Sequence, residues 1–147
     1  MAFTDHLRRQ HDEATIMTRR LRNLVRGHRP GDDAVAIATE LARLLRALRV
    51  HLAEEDEYLY PALIATNDGI AAELAERYRA EMGSLAWDVE DFMLRWSSSA
   101  VIALNFVAFE ADLDRLLRAL AVRIERENVT LYPVADALIP DWRGKAA

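Results

Sequence analysis

His51 and Glu55 stand four residues apart in a segment dense with leucine, alanine and arginine. On an α-helix that spacing puts both side chains on one face, one turn apart, where an imidazole nitrogen and a carboxylate can share a cation. The surrounding text returns 72 residues later: Leu44-Leu45-Arg46-Ala47-Leu48 running to Leu59-Tyr60-Pro61 is echoed by Leu116-Leu117-Arg118-Ala119-Leu120 running to Leu131-Tyr132-Pro133. The second copy keeps the acid, as Glu127, but carries Arg123 where the first has His51. One copy therefore offers two metal ligands, and the other offers one carboxylate beside a permanent cation. The chain has no cysteine, which removes disulfides, thiolate metal sites and thiol nucleophiles together. Any metal must be held by histidine and carboxylate.

The elements that position these residues follow from apolar spacings of three and four. A first helix is expected from about Asp5 to Arg26, with Leu7, His11, Ala14, Thr18, Leu21 and Val25 down one stripe; Gly27 and Pro30-Gly31 stop it. Asp32 or Asp33 is expected to cap the second, whose stripe is Leu41, Leu44 or Leu45, Leu48, His51, Leu52, Glu55 and Leu59. Pro61 should end or kink that helix, and Asn67-Asp68-Gly69 makes the next turn. A third, about 69–96, presents Leu74, Tyr78, either Glu81 or Met82, Leu85, Val89, Phe92 and Trp96. Ser97-Ser98-Ser99 caps a fourth, about 99–130, with Ile102, Phe106, Phe109, Leu113, Leu116, Leu120, Arg123, Ile124 and Glu127 inward, before a short tail helix from Leu131 to Ile139. The expected fold is all-α: one domain, residues 1–147, built as an up-down-up-down antiparallel four-helix bundle with a short C-terminal helix.

In that topology His11 near the start of the first helix, His51 and Glu55 near the end of the second, Glu81 and Met82 in the third, and Arg123 and Glu127 near the end of the fourth share one layer. Polar groups on otherwise apolar faces need partners, so they must satisfy one another or a metal.

The pattern resembles the hemerythrin-like (HHE cation-binding) domains over nearly the whole chain. The resemblance rests on His11 within Arg9-Gln10-His11-Asp12-Glu13, on His51 to Glu55 running into Leu59-Tyr60-Pro61, and on Glu127 running into Leu131-Tyr132-Pro133. It implies two irons between four helices, bridged by one carboxylate each from the second and fourth. By the same resemblance His11 and His51 match the histidines of one iron, and Glu55 and Glu127 match the bridging carboxylates. The other iron has lost its nitrogen ligands: no histidine follows His51, Met82 with Glu81 stands near the expected third-helix position, and Arg123 replaces the fourth-helix histidine.

Two carboxylates deprived of one cation repel each other, so a substitute positive charge is expected. Arg123 can supply it, bonded to Glu55, Glu127 and Glu81, because a guanidinium is planar, bidentate and never deprotonated. The expected site holds one ion through His11, His51, Glu55 and Glu127; iron is the expected metal, and manganese or zinc suits the same ligands. Reversible oxygen carriage draws an electron from each of two irons, so binding or sensing, with a diatomic gas as partner, is expected instead. The rival is a metal-free bundle in which Arg123 clamps the acids, kept as a regulatory or protein-interaction module, a homodimer included. A dedicated enzyme has little support, since no nucleophile pair or cofactor loop is evident. The His-x-x-x-Glu order also differs from the Glu-x-x-His of ferritin-type diiron oxidases.

A net charge of −5 with interleaved basic residues gives no footprint for nucleic acid. No signal-peptide pattern or membrane span is legible, which points to a soluble cytoplasmic protein. His28 reads as a solvated loop residue and His6 as an exposed spare ligand; Trp87, Trp96, Trp142, Tyr60 and Tyr132 read as packing.

Overall fold

A computed structural model describes residues 1–140, all of whose regular structure is helical. Helix α1 spans Asp5–Gly27, with an acid in its first turn and Arg26 in its last, both complementing the helix dipole. Gly31, at φ 92°, turns the following loop through the left-handed region. Helix α2 spans Val35–Glu54. Its N-cap residue is Ala34, but the Asp33 carboxylate reaches over it to accept from the Val35 N–H, while Asp32 is spent on the Arg29 N–H within the loop.

Pro61 neither ends nor breaks this arm. Glu55–Leu59 widens into one π-helical turn, in which the Tyr60 N–H reaches back five residues to the Glu55 carbonyl, and Tyr60–Ile64 continues as α3. A proline ring would otherwise collide with the carbonyl four residues earlier, and a π-turn moves that carbonyl aside. The Asp68 carboxylate caps the next helix, α4 (Gly69–Arg95), by accepting from the Ala71 N–H.

The Ser98 hydroxyl caps α5 (Ser99–Leu104) through the Val101 N–H. The expected continuous fourth helix is interrupted at Asn105, whose φ of −129° and ψ of 43° leave the helical region. Helix α6 then runs Phe106–Arg126, a second π-turn covers Glu127–Leu131 ahead of Pro133, and α7 spans Tyr132–Leu138. The sequence repeat is thus also a structural one: each copy places its inward glutamate as the first residue of a π-turn and its proline just beyond.

Helices α1, α2, α4 and α6 pack in a closed ring, α1 on α2, α2 on α4, α4 on α6 and α6 on α1. The bundle has two apolar layers. One contains Leu21, Leu44, Leu48, Met82, Val89, Phe109 and Leu120; the other contains Phe3, Leu7, Leu59, Leu63, Tyr78, Leu131 and Tyr132. Each helical arm of the ring contributes to both layers, passing from one to the other between Ala14 and Leu7, Leu48 and Leu59, Met82 and Tyr78, and Leu120 and Leu131. The buried polar residues His11, His51, Glu55, Arg123 and Glu127 fall in between.

Trp96 is buried as expected, but Trp87 is 79% exposed and packs into neither layer. His28 stacks on Phe106 at 4.1 Å, more engaged than a solvated loop residue, and Trp142 lies outside the described residues. Among the described residues no helix is long and apolar enough to cross a membrane.

Candidate metal centre

Helix α1 delivers His11, α2 delivers His51, and the two π-turns deliver Glu55 and Glu127. Each of the four residues offers a ligand atom, and these atoms lie within 4.8 Å of one another. All four residues are buried, with Glu55 at 0% and Glu127 at 1% exposure. His11 Nε2 stands 2.9 Å from Glu127 Oε1 and 3.0 Å from His51 Nε2, and His51 Nε2 is 3.3 Å from Glu55 Oε1.

The outer nitrogens explain how the rings come to face inward. The Gln10 amide donates through Nε2 to Glu54 Oε2 at 2.9 Å, so its Oε1 is the atom that accepts from His51 Nδ1–H at 2.7 Å. On the other ring His11 Nδ1–H donates to Asn128 Oδ1 at 2.8 Å. A histidine whose Nδ1 proton is held by an amide oxygen presents a bare Nε2 to its other side, the arrangement that orients metal-ligating imidazoles. His6, read from the sequence as exposed, is half-buried and bound to the same Glu54 oxygen at 2.7 Å.

Tyr132 is more than packing. Its hydroxyl donates to Glu55 Oε2 at 2.7 Å and lies 3.1 Å from His11 Nε2. Burial, reinforced by the two glutamates, pushes its pKa well above the ordinary tyrosine value. Its repeat mate Tyr60 is equally buried, yet its hydroxyl makes no well-aligned hydrogen bond among the described residues and faces Arg123 instead of the ligand atoms.

Arg123 sits beside the cage, 6% exposed. Its Nε donates to Glu127 Oε2 at 3.3 Å, one terminal nitrogen to Glu81 Oε2 at 2.8 Å, and the other to the Tyr78 carbonyl at 2.8 Å. Two of the three expected acids are therefore bonded to it. Glu55 is not among its hydrogen-bond partners, because the Tyr78 carbonyl takes that nitrogen and Tyr132 holds Glu55. The choice between Glu81 and Met82 resolves into both: Met82 is buried in the core, while Glu81 reaches Arg123 and Arg126 from the bundle's edge.

The electrostatics of the cage turn on how its two buried acids are compensated. Burial opposes a charge on His51, yet Glu55 and Glu127 overcome it and raise its pKa to about 10. Burial likewise opposes a charge on Glu127, but His11 and His51 hold its pKa down at about 2. Glu55 is raised, because burial outweighs its attraction to His51. Without an ion, His51 thus carries the proton that keeps the two acids from facing each other uncompensated. Even so, Glu55 Oε1 stays buried without a well-aligned partner. Two imidazole nitrogens and two carboxylates, one of them with an unsatisfied oxygen, converging on one point fit a metal ion that takes nitrogen and oxygen ligands.

A helical bundle with an inward cage of two histidines and two glutamates defines a cation-binding class of protein. Within that class the chain belongs to the family of the hemerythrin HHE cation-binding domain, whose family model matches residues 2–135. No curated protein and no solved structure matches it.

Gln10, Asn128 and Tyr132 were not legible as site residues from the sequence. The one available signal was their position: Gln10 precedes His11, Asn128 follows Glu127, and Tyr132 lies five residues beyond that acid, the reach of a π-turn.

Proposed function

We propose that this protein binds one metal ion, iron, through His11, His51, Glu55 and Glu127, with Arg123 in place of a second ion. What carries this reading is the double convergence at the cage: the two Nε2 atoms face the two carboxylates, and both Nδ1 atoms are tied back to amide oxygens. Charge supports the count. Arg123 donates to Glu127 and Glu81, and Glu81 is also paired with Arg126, so a divalent ion with Arg123 already offsets the two buried acids and leaves no negative charge to hold a second ion. The same reading takes residues 1–147 as one domain whose four helical arms alternate in direction.

Bound iron supplies a Lewis-acidic, redox-active centre. The protein supplies its surroundings. A cavity of about 20 Å³ borders the cage, walled by Ala14, Leu48, Met82, Leu85, Val89 and Leu120, with room for one water-sized molecule. Its largely apolar lining and its size suit a diatomic gas, which supports a binding or sensing role.

Elemental analysis of protein purified without a metal-affinity tag tests the reading. About one equivalent of iron is expected, rising toward two in the Arg123→His, Met82→His double variant. Two equivalents in the unaltered protein would refute the role given to Arg123. A second reading, a metal-free module, draws on one observation: His51 Nε2 lies 3.3 Å from Glu55 Oε1 and Arg123 Nε donates to Glu127, so each acid already faces a basic side chain. Protein that takes up no metal even when iron, manganese and zinc are supplied would establish it.

A further inference from the structure

We propose that the Tyr132 oxygen is a fifth protein ligand of the ion, and that it adapts the cage to ferric iron. This rests on the metal reading above and adds a residue and an oxidation state to it.

The argument begins with distances. Tyr132 Oη lies 2.7 Å from Glu55 Oε2, 3.1 Å from His11 Nε2 and 3.4 Å from His51 Nε2. Donor atoms bound about 2.1 Å from one ion stand roughly 3.0–3.4 Å apart around it, so the phenol oxygen belongs to the same shell as the histidine nitrogens. The ring is held in place: it is fully buried, stacks on His11 with centroids 5.1 Å apart and planes 17° apart, and has Arg8 over it at 5.4 Å.

The sequence repeat supplies a comparison within the chain. Tyr60 occupies the corresponding place in the first copy, but its hydroxyl meets no ligand atom at hydrogen-bond distance. The asymmetry follows from Arg123, whose Nε takes Glu127 Oε2, while the corresponding oxygen of the other acid, Glu55 Oε2, is bonded to Tyr132. Only Tyr132 is presented to the intact half of the cage.

Charge and hardness select the ion. Glu55 and Glu127 neutralise a divalent metal, and a trivalent one adds a single charge that an ionised phenol cancels, while Arg123 donates to Glu81, which it shares with Arg126 at the bundle's edge. An anionic oxygen donor favours a hard, highly charged ion, and tyrosine is an established ligand of iron. On binding, the phenol O–H bond is exchanged for an O–iron bond and the proton passes to the buffer. No electron moves when the iron is supplied as ferric.

The test uses the full chain, stripped by chelation and loaded with ferric citrate. The expected result is a visible charge-transfer band proportional to bound iron, with resonance Raman lines that shift when ring-deuterated tyrosine is incorporated. The band should persist in Tyr60→Phe and vanish in Tyr132→Phe. Should Tyr132→Phe not fold, survival of the band in each of Tyr58→Phe, Tyr60→Phe and Tyr78→Phe identifies Tyr132 by elimination. Iron bound without a band, or a band lost in Tyr60→Phe or retained in Tyr132→Phe, overturns the ligation but spares the metal site. Failure to bind iron at all overturns both.

Discussion

Arg123 and Glu81 show how unequal the two ends of one ion pair can be. The guanidinium is 7% exposed in its side chain and the carboxylate 38%, although only 2.8 Å separates them. Removing a buried charge partner leaves the other charge uncompensated and costs about 3–5 kcal/mol, whereas an exposed pair contributes about 1 kcal/mol or less. Arg123→Met is therefore expected to destabilise the metal-free protein by about 3 kcal/mol or more, because it strips Glu127 and the Tyr78 carbonyl of a donor at once. Glu81→Gln should cost less than about 1 kcal/mol. Urea denaturation compares them, and equal losses would mean that Arg123 is anchored from the rim rather than from the cage. At this scale the residue types were legible but several partners were not. Tyr132 looked like packing, because a tyrosine beside a proline carries no local sign of which oxygen lies across the bundle.

The helices were legible because each depends on local chemistry. Asp68 was readable as part of a turn signal, and it caps α4 at 2.9 Å from the Ala71 N–H. Asp68→Ala is expected to cost about 1 kcal/mol, read from the shift in the urea midpoint at unchanged slope. A loss below about 0.3 kcal/mol would mean that water replaces the cap. What the periodicity missed were the widened turns at Glu55–Leu59 and Glu127–Leu131. A π-turn adds one residue within a helix, so apolar spacing on either side still reads as helical while the register beyond it has shifted. The break at Asn105 escaped notice for a related reason: α5 and α6 both keep inward faces, with Ile102 and Phe109 completely buried.

Across the whole molecule, two apolar layers hold the polar cage from both sides, and ion pairs on the outside add a dependence on pH. Asp112 gives a clear case. Burial disfavours its charge, but the Arg95 guanidinium, the Trp96 Nε1–H and Arg115 together hold its pKa below the ordinary aspartate value. A carboxyl lowered by folding contributes stability that is fully present above the unfolded value, about 3.9, and is lost as pH falls through the folded one. Thermal unfolding followed below about pH 4 should show the melting temperature of the native chain dropping more steeply than that of Asp112→Asn. Parallel acid limbs would remove Asp112 from the account.

By itself the sequence determined where the chain is helical, the faces those helices bury and which two histidines and two glutamates point inward. Those properties depend on side-chain periodicity and on the spacing of His51 and Glu55, which one helical turn brings together wherever the helix lies. Only the tertiary structure decided which atoms meet. Gln10 on the His51 ring, Asn128 on the His11 ring, Tyr132 against Glu55, and the Tyr78 carbonyl against Arg123 all join residues at least 41 positions apart. Such contacts depend on the register between packed helices and on the rotation introduced by each π-turn, and no local stretch of chain encodes either alone.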